Sequence, residues 1–189
     1  MTPTSAPTSL VGQDIRALRT SRQMTLADVA ARMGRSVGWV SQIERDLSTP
    51  TMDDLRKLST LFDVPLSIFF GKSEGPEEER GVVVRAGARR EIGGGEGGLV
   101  ETLISPDLTD DFEVIHSTFL PGAKLDHAIS RPTTEVAYLM SGTLDLVIDG
   151  QSFTVTAGDS FRVRGSAYSW ANPYPAPAIA LWVISPPVY

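Results

Sequence analysis

Over roughly the first third of the chain, apolar residues recur at three- and four-residue intervals. Leu10, Ile15, Leu18, Leu26, Val29, Ala30, Met33, Val40, Ile43, Leu55, Leu58, Leu61 and Phe62 carry this pattern. That is the period of an amphipathic helix, and it predicts helices over 10–22, 25–32, 36–45, 51–62 and 65–70. Start signals agree with the periodicity. Thr25 precedes an apolar run and has Asp28 three residues on, an Asp version of the capping box. Ser36 can cap the third helix, Thr51 is trailed by Asp53 and Asp54, and Pro65 suits a first helical turn. Helices this short need a shared core.

The pattern then changes. Residues 71–80, Gly-Lys-Ser-Glu-Gly-Pro-Glu-Glu-Glu-Arg, have almost nothing to bury and read as a linker. Beyond it, short apolar or alternating runs predict strands at Val82–Val84, Leu99–Ile104, Phe112–Leu120, Glu135–Met140, Thr143–Ile148, Phe153–Thr156 and Ile179–Ile184. Asp149-Gly150 between two such runs signals a tight hairpin. Close turn spacing points to a sandwich or barrel. The expected layout is a disordered tail over 1–8, an all-α domain over 9–71, a linker over 72–80 and an all-β domain over 81–189.

Composition changes the picture in two places. The net charge of −6 is unevenly spread, with +1 over residues 9–71 and −7 over 76–189. A near-neutral helical module joined to an acidic one is compatible with nucleic-acid binding at the N-terminal end. The absence of cysteine removes disulfides, thiolate metal sites and thiol redox sensing. No run approaches the ~18 apolar residues of a membrane span, and the Pro/Ser/Thr-rich start lacks a signal-peptide pattern. The expected location is cytoplasmic, with no membrane partner.

Candidate chemistry concentrates in residues 25–45, which run Thr-Leu-Ala-Asp-Val-Ala-Ala-Arg-Met-Gly-Arg-Ser-Val-Gly-Trp-Val-Ser-Gln-Ile-Glu-Arg. A helix, a turn at Gly34 and a second helix with Val40 and Ile43 inward would leave Ser36, Val37, Gly38, Ser41, Gln42 and Arg45 facing out. Small and amide side chains there can enter a major groove. This stretch resembles the XRE-family (lambda-repressor-like) helix-turn-helix, with the resemblance covering about residues 9–70. The family pattern implies Val37, Gly38, Ser41 and Gln42 at bases, Ser36 and Arg45 nearer phosphates, and Thr25 within the same DNA-binding set. It gives Glu44 a structural role, and Asp46 departs from the glycine common after this helix. Trp39 reads as a packing or dimer-contact residue ahead of a base wedge. The competing reading is a helical bundle that binds protein.

The second half carries Pro121-Gly122, Glu135 with Gly142 seven residues on, Gly158-Asp159, and Tyr168-Ser-Trp-Ala-Asn172-Pro173. This order and spacing resemble a cupin, a double-stranded β-helix barrel, over roughly residues 80–186. The family's metal-binding histidine positions would fall on Ile129, Arg131 and Tyr168, none a good ligand for a divalent ion. His116 and His127 are the chain's two histidines. A shifted site at His127 and Glu135 stays open, but no metal, cofactor or catalytic residue is expected. Alternation places Glu135 on one barrel face, and Tyr168, Trp170 and Asn172 on one face of a later strand. An aromatic wall beside a carboxylate suits an amine or other cation. Glu135, Tyr168, Trp170, Arg131 and His127 are therefore the candidate effector site. The plainer alternative is that the aromatics fill the barrel and Glu135 pairs with Arg131 or Arg162.

Together these readings describe a transcriptional regulator rather than an enzyme. Its expected partners are a palindromic DNA operator, a small polar effector and a second copy of itself. Two rivals remain: a barrel that only dimerises, and a cupin enzyme carrying a targeting helix-turn-helix.

Overall fold

A computed structural model describes residues 11–64, 66–70, 77–79, 81–92, 96–106, 108 and 110–188. The expected tail, Leu10, Pro65, most of the 72–80 linker and Gly93-Gly94-Gly95 lie outside the described residues. The chain divides into two compact units. One holds residues up to Arg90 with Pro106–Asp110, and the other holds Glu91–Ser105 with Asp111–Tyr189.

Among the described residues, four α-helices build the first unit: α1 Val11–Ser21, α2 Leu26–Met33, α3 Val37–Glu44 and α4 Met52–Phe62. Full capping boxes start two of them, at Thr25 with Asp28 and at Thr51 with Asp54. Gly34 ends α2 at φ 63°, a left-handed conformation that costs glycine no Cβ clash. The core is the predicted apolar stripe, with Ile15, Leu18, Val29, Met33, Val40, Ile43, Leu55, Leu58 and Phe62 all buried. The fifth expected helix is a 3-10 turn, Leu66–Phe70. Five residues give little room for i→i+4 bonding, and the tighter helix suits such a short piece.

Among the described residues, nine strands build the second unit: β1 Arg90–Ile92, β2 Leu99–Leu103, β3 Glu113–Phe119, β4 Thr134–Ser141, β5 Thr143–Ile148, β6 Gln151–Thr156, β7 Ser160–Arg164, β8 Tyr168–Ala171 and β9 Ala178–Ser185. They form a six-stranded sheet ordered β1-β2-β3-β9-β4-β7 and a three-stranded sheet ordered β6-β5-β8. Inward residues of both sheets share one core, including Ile115, Leu139, Leu144, Leu146, Trp170 and Trp182. Asp149 and Gly150 both take positive φ, 49° and 79°, as a two-residue I′ hairpin requires.

Three strand readings need correction. Val82–Val84 is not a strand but turn and coil, with Val82 and Val83 exposed, so this apolar run has no sheet to bury it. β1 and β7 went unpredicted because neither offers an apolar run. β7 is Ser-Phe-Arg-Val-Arg, and only Val163 is fully buried on it.

Candidate functional site

In the helical unit, α3 is held from behind by an ion pair. Glu44, buried at its C-terminal end, accepts from Arg19 Nε at 2.6 Å and Nη2 at 2.9 Å. The same guanidinium donates to Met24 O at 2.9 Å, which ties α1, the α1–α2 turn and α3 together. Asp46 takes φ 54°, and its carboxylate accepts from Gly12 N–H at 3.0 Å near the start of α1. The departure from glycine therefore supplies a helix cap. Gly12 in turn allows a close approach, since a Cβ there would lie 2.1 Å from Ile43 O.

Each expected DNA-binding residue can be placed on this frame. Ser36 is exposed and its Oγ accepts from Trp39 N–H at 3.1 Å, capping α3. Val37, Gly38 and Gln42 are exposed and Ser41 is half-buried. Arg45 is exposed, and its Nε donates to Ser41 O at 3.1 Å. Thr25 is exposed at the start of α2, with its hydroxyl donating to Asp28 Oδ2 at 2.6 Å. Trp39 is half-buried under the Arg35 guanidinium, 5.0 Å from the ring centroid, which is a packing position. Arg35 also donates to buried Asp54 at 2.9 Å, linking the α2–α3 turn to α4. α2 and α4 carry carboxylates in their first turns but α3 carries none, leaving its positive end open to phosphate.

In the barrel, Glu135 is buried on β4. Its Oε1 accepts from Thr133 Oγ1 at 2.6 Å and its Oε2 from Tyr168 OH at 3.1 Å. Burial, and then the Glu135 charge, push the Tyr168 hydroxyl well above its usual range, so it stays a donor. Sequence reasoning missed two further carboxylates on the same inward faces. Glu101 on β2 accepts from Ser117 Oγ at 2.7 Å, and burial raises its pKa. Glu113 on β3 is fully buried and accepts from Val188 N–H at 2.9 Å, with burial pushing its pKa up to about 7. The Arg131 charge opposes these shifts at Glu101, Glu113 and Tyr168, although Arg131 itself is exposed.

The aromatic arrangement differs from the expected one. Trp170 is buried edge-on to Phe119 with centroids 4.7 Å apart, while Trp182 on β9 lies 6.4 Å from Tyr168 and pairs in register with Ala137. Trp182 Nε1–H and Glu113 Oε2 are buried without a hydrogen-bond partner among the described residues. Such groups are costly unless something satisfies them. Asn172 holds a loop, with its Nδ2 donating to Phe119 O at 2.8 Å and Ala176 O at 3.0 Å. His127 is exposed beside Asp126. Arg162 pairs in register with Val136 on the outward side of the sheet, so the alternative Glu135–Arg162 pair is not formed.

The donor set does not suit a divalent metal. Ile129 pairs with Tyr168 across the barrel edge, and isoleucine, guanidinium and a neutral phenol occupy the family's histidine positions. Among the described residues no group of three or more His, Asp or Glu side chains is arranged to hold an ion.

Comparison with known proteins places both halves. The helix-turn-helix family matches residues 15–69 and the cupin domain family matches residues 115–184. The chain is 25% identical over 162 residues to the HTH-type transcriptional regulator PuuR of Escherichia coli K12, covering 85% of this chain and 86% of that protein. The Shigella flexneri protein of the same name matches equally. Among solved structures, an HTH_3 family transcriptional regulator from Vibrio cholerae aligns over 95% of this chain and 97% of its own, at 19% identity and TM-score 0.45. A cupin domain of an XRE family transcriptional regulator from Enterobacter cloacae covers 47% of this chain and 97% of its own, at 24% identity and TM-score 0.42. The chain thus joins an N-terminal segment that matches the helix-turn-helix family to a C-terminal segment that matches the cupin domain family.

Proposed function

We propose that this protein is a cytoplasmic DNA-binding transcriptional regulator that acts as a homodimer and whose cupin barrel binds a small cationic effector without turning it over. The exposed face of α3 carries the DNA part of the reading. Ser36, Val37, Gly38, Gln42 and Arg45 are exposed there with half-buried Ser41 beside them, and the ion pair and caps that fix the helix draw on other side chains. Gln42 suits an adenine edge, Val37 a thymine methyl, and Ser36 and Arg45 phosphates. The names of the curated relatives favour the same class.

The effector part rests on three carboxylates, Glu101, Glu113 and Glu135, facing one arginine charge, with Tyr168 and Trp182 alongside. A protonated amine supplies donors for Glu113 Oε2 and positive charge for the cluster, with the aromatic rings flanking it. Regulation then follows if the effector binds the operator-bound and free states with different affinity.

The test is a gel-shift titration against DNA from the protein's own promoter region, at two salt concentrations. Specific binding should weaken steeply with salt, and Arg45→Ala should lower the slope of log K against log salt by about 0.9 with little change in sequence preference. Gln42→Ala should instead relax discrimination at one base pair by about 1–3 kcal/mol. Binding indifferent to sequence, with and without metabolite extract, would overturn the regulator and favour a barrel enzyme or a protein-binding helical module.

A further inference from the structure

Among the described residues, three buried side-chain polar atoms have no hydrogen-bond partner, and two of them, Glu113 Oε2 and Trp182 Nε1, belong to the barrel. Strand register brings these two together. On the inward face, Ile184 of β9 pairs with Glu113 of β3 on one side and with Glu135 of β4 on the other. Trp182 is the adjacent inward residue along β9, so it stands diagonal to both carboxylates. Diagonal neighbours across an antiparallel pair lie ~7–8 Å apart, within reach of long side chains.

The two atoms have opposite chemistry. A carboxylate oxygen accepts, whereas an indole N–H only donates. The groups around them are engaged. Glu113 Oε1 accepts from Val188 N–H, and the Glu135 oxygens accept from the Thr133 and Tyr168 hydroxyls. This leaves one carboxylate acceptor and one indole donor on the same wall, where Glu113 is fully buried and Trp182 is 5% exposed.

We infer that Glu113 Oε2 and Trp182 Nε1 receive two groups of one effector molecule, a protonated amine at the carboxylate and an acceptor oxygen at the indole. The inference rests on the cationic reading above and narrows its class. A plain alkylammonium has donors and no acceptor, so it satisfies Glu113 and leaves the Trp182 N–H stranded. An amine that also carries a hydroxyl or carbonyl oxygen satisfies both. A free carboxylate is disfavoured as that oxygen, because Glu101, Glu113 and Glu135 already share the interior. The effector class is therefore an amino alcohol or an amino amide, and the cost of the stranded donor is what discriminates against simple amines.

Nuclear magnetic resonance of the full chain labelled with nitrogen-15 tests this. Its three tryptophans give three indole N–H signals, and Trp182→Phe identifies the one that belongs to Trp182. The probes are 3-amino-1-propanol, n-butylamine and 1-butanol, which match in length and differ in the polar groups they carry. The amino alcohol should bind about tenfold more tightly than n-butylamine and move the Trp182 signal downfield, as a new hydrogen bond does. In Trp182→Phe the two amines should come within about twofold of each other. An amino alcohol that binds no tighter than n-butylamine, with the Trp182 signal unmoved, overturns the acceptor subsite while leaving a cationic effector standing. Binding of 1-butanol as tight as that of the amino alcohol removes the cationic reading and the amine half of the site with it. If none of the three moves the Trp182 signal or binds, water alone satisfies the pair and both readings fall.

Discussion

At the scale of single residues, Glu113 is where chemistry and stability meet. Burial lifts its pKa up to about 7, against the partial relief of the Val188 N–H and the Arg131 charge. Between the ordinary carboxylate range and neutrality the folded barrel therefore holds a proton that the unfolded chain has released. Stability must fall as pH rises through that window. Thermal unfolding should show the barrel losing stability from about pH 5 to about pH 7.5, and Glu113→Gln should flatten that slope. A cationic effector favours the ionised carboxylate, so its affinity should climb over the same interval. Glu113 was legible in principle: it alternates with Ile115, Ser117 and Phe119, a carboxylate in the phase of the apolar face. Trp182 was not, because its strand reads as a continuous apolar run whose faces only pairing assigns.

At the scale of elements, the helix-turn-helix depends on how closely α1 meets the end of α3. Gly12 lies against Ile43 O, and Asp46 closes the contact by capping Gly12 N–H. Gly12→Ala should therefore destabilise the helical domain by about 1–3 kcal/mol in denaturant unfolding, as overpacking does. Gly38, by contrast, has open space where a methyl would sit, the nearest atom being Ser36 Oγ at 3.9 Å. Gly38→Ala should stabilise the same domain by about 0.5–1 kcal/mol through helix propensity. A matching loss from both substitutions would show that the steric contact at Gly12 is not what distinguishes them. Helix period, capping residues and the Gly34 turn placed α2 and α3 correctly because each is a local signal. The α1–α3 contact joins residues 34 apart in sequence, and no local signal announces it.

At the scale of the whole molecule, the proposed dimer, reading two half-sites, would make a geometric demand on its operator. The half-site centres should lie one DNA turn apart, about 10–10.5 base pairs, or a multiple of that. Inserting about five base pairs between them should rotate one half-site to the far side of the duplex and cost much of the specific affinity. Restoring a full turn should recover it. Footprinting on spacer variants reads this directly, and indifference to spacing would argue that each chain binds DNA alone.

The sequence by itself determined the two classes of secondary structure and the turn chemistry at Thr25, Gly34, Thr51 and Asp149-Gly150. It also placed Glu135 with Ala137 and Leu139, and Tyr168 with Trp170 and Asn172, on common strand faces. All of these depend on short-range periodicity and on backbone conformations that particular residues favour. Tertiary structure decided which aromatic stands beside Tyr168. Trp182 does so because β9 runs between β3 and β4, a pairing across more than 40 residues of chain. It also decided that Glu101 and Glu113 share the interior with Glu135, and that Val82–Val84 finds no sheet. Strand order and burial arise from pairings between distant segments. The alternation within any one strand does not contain them.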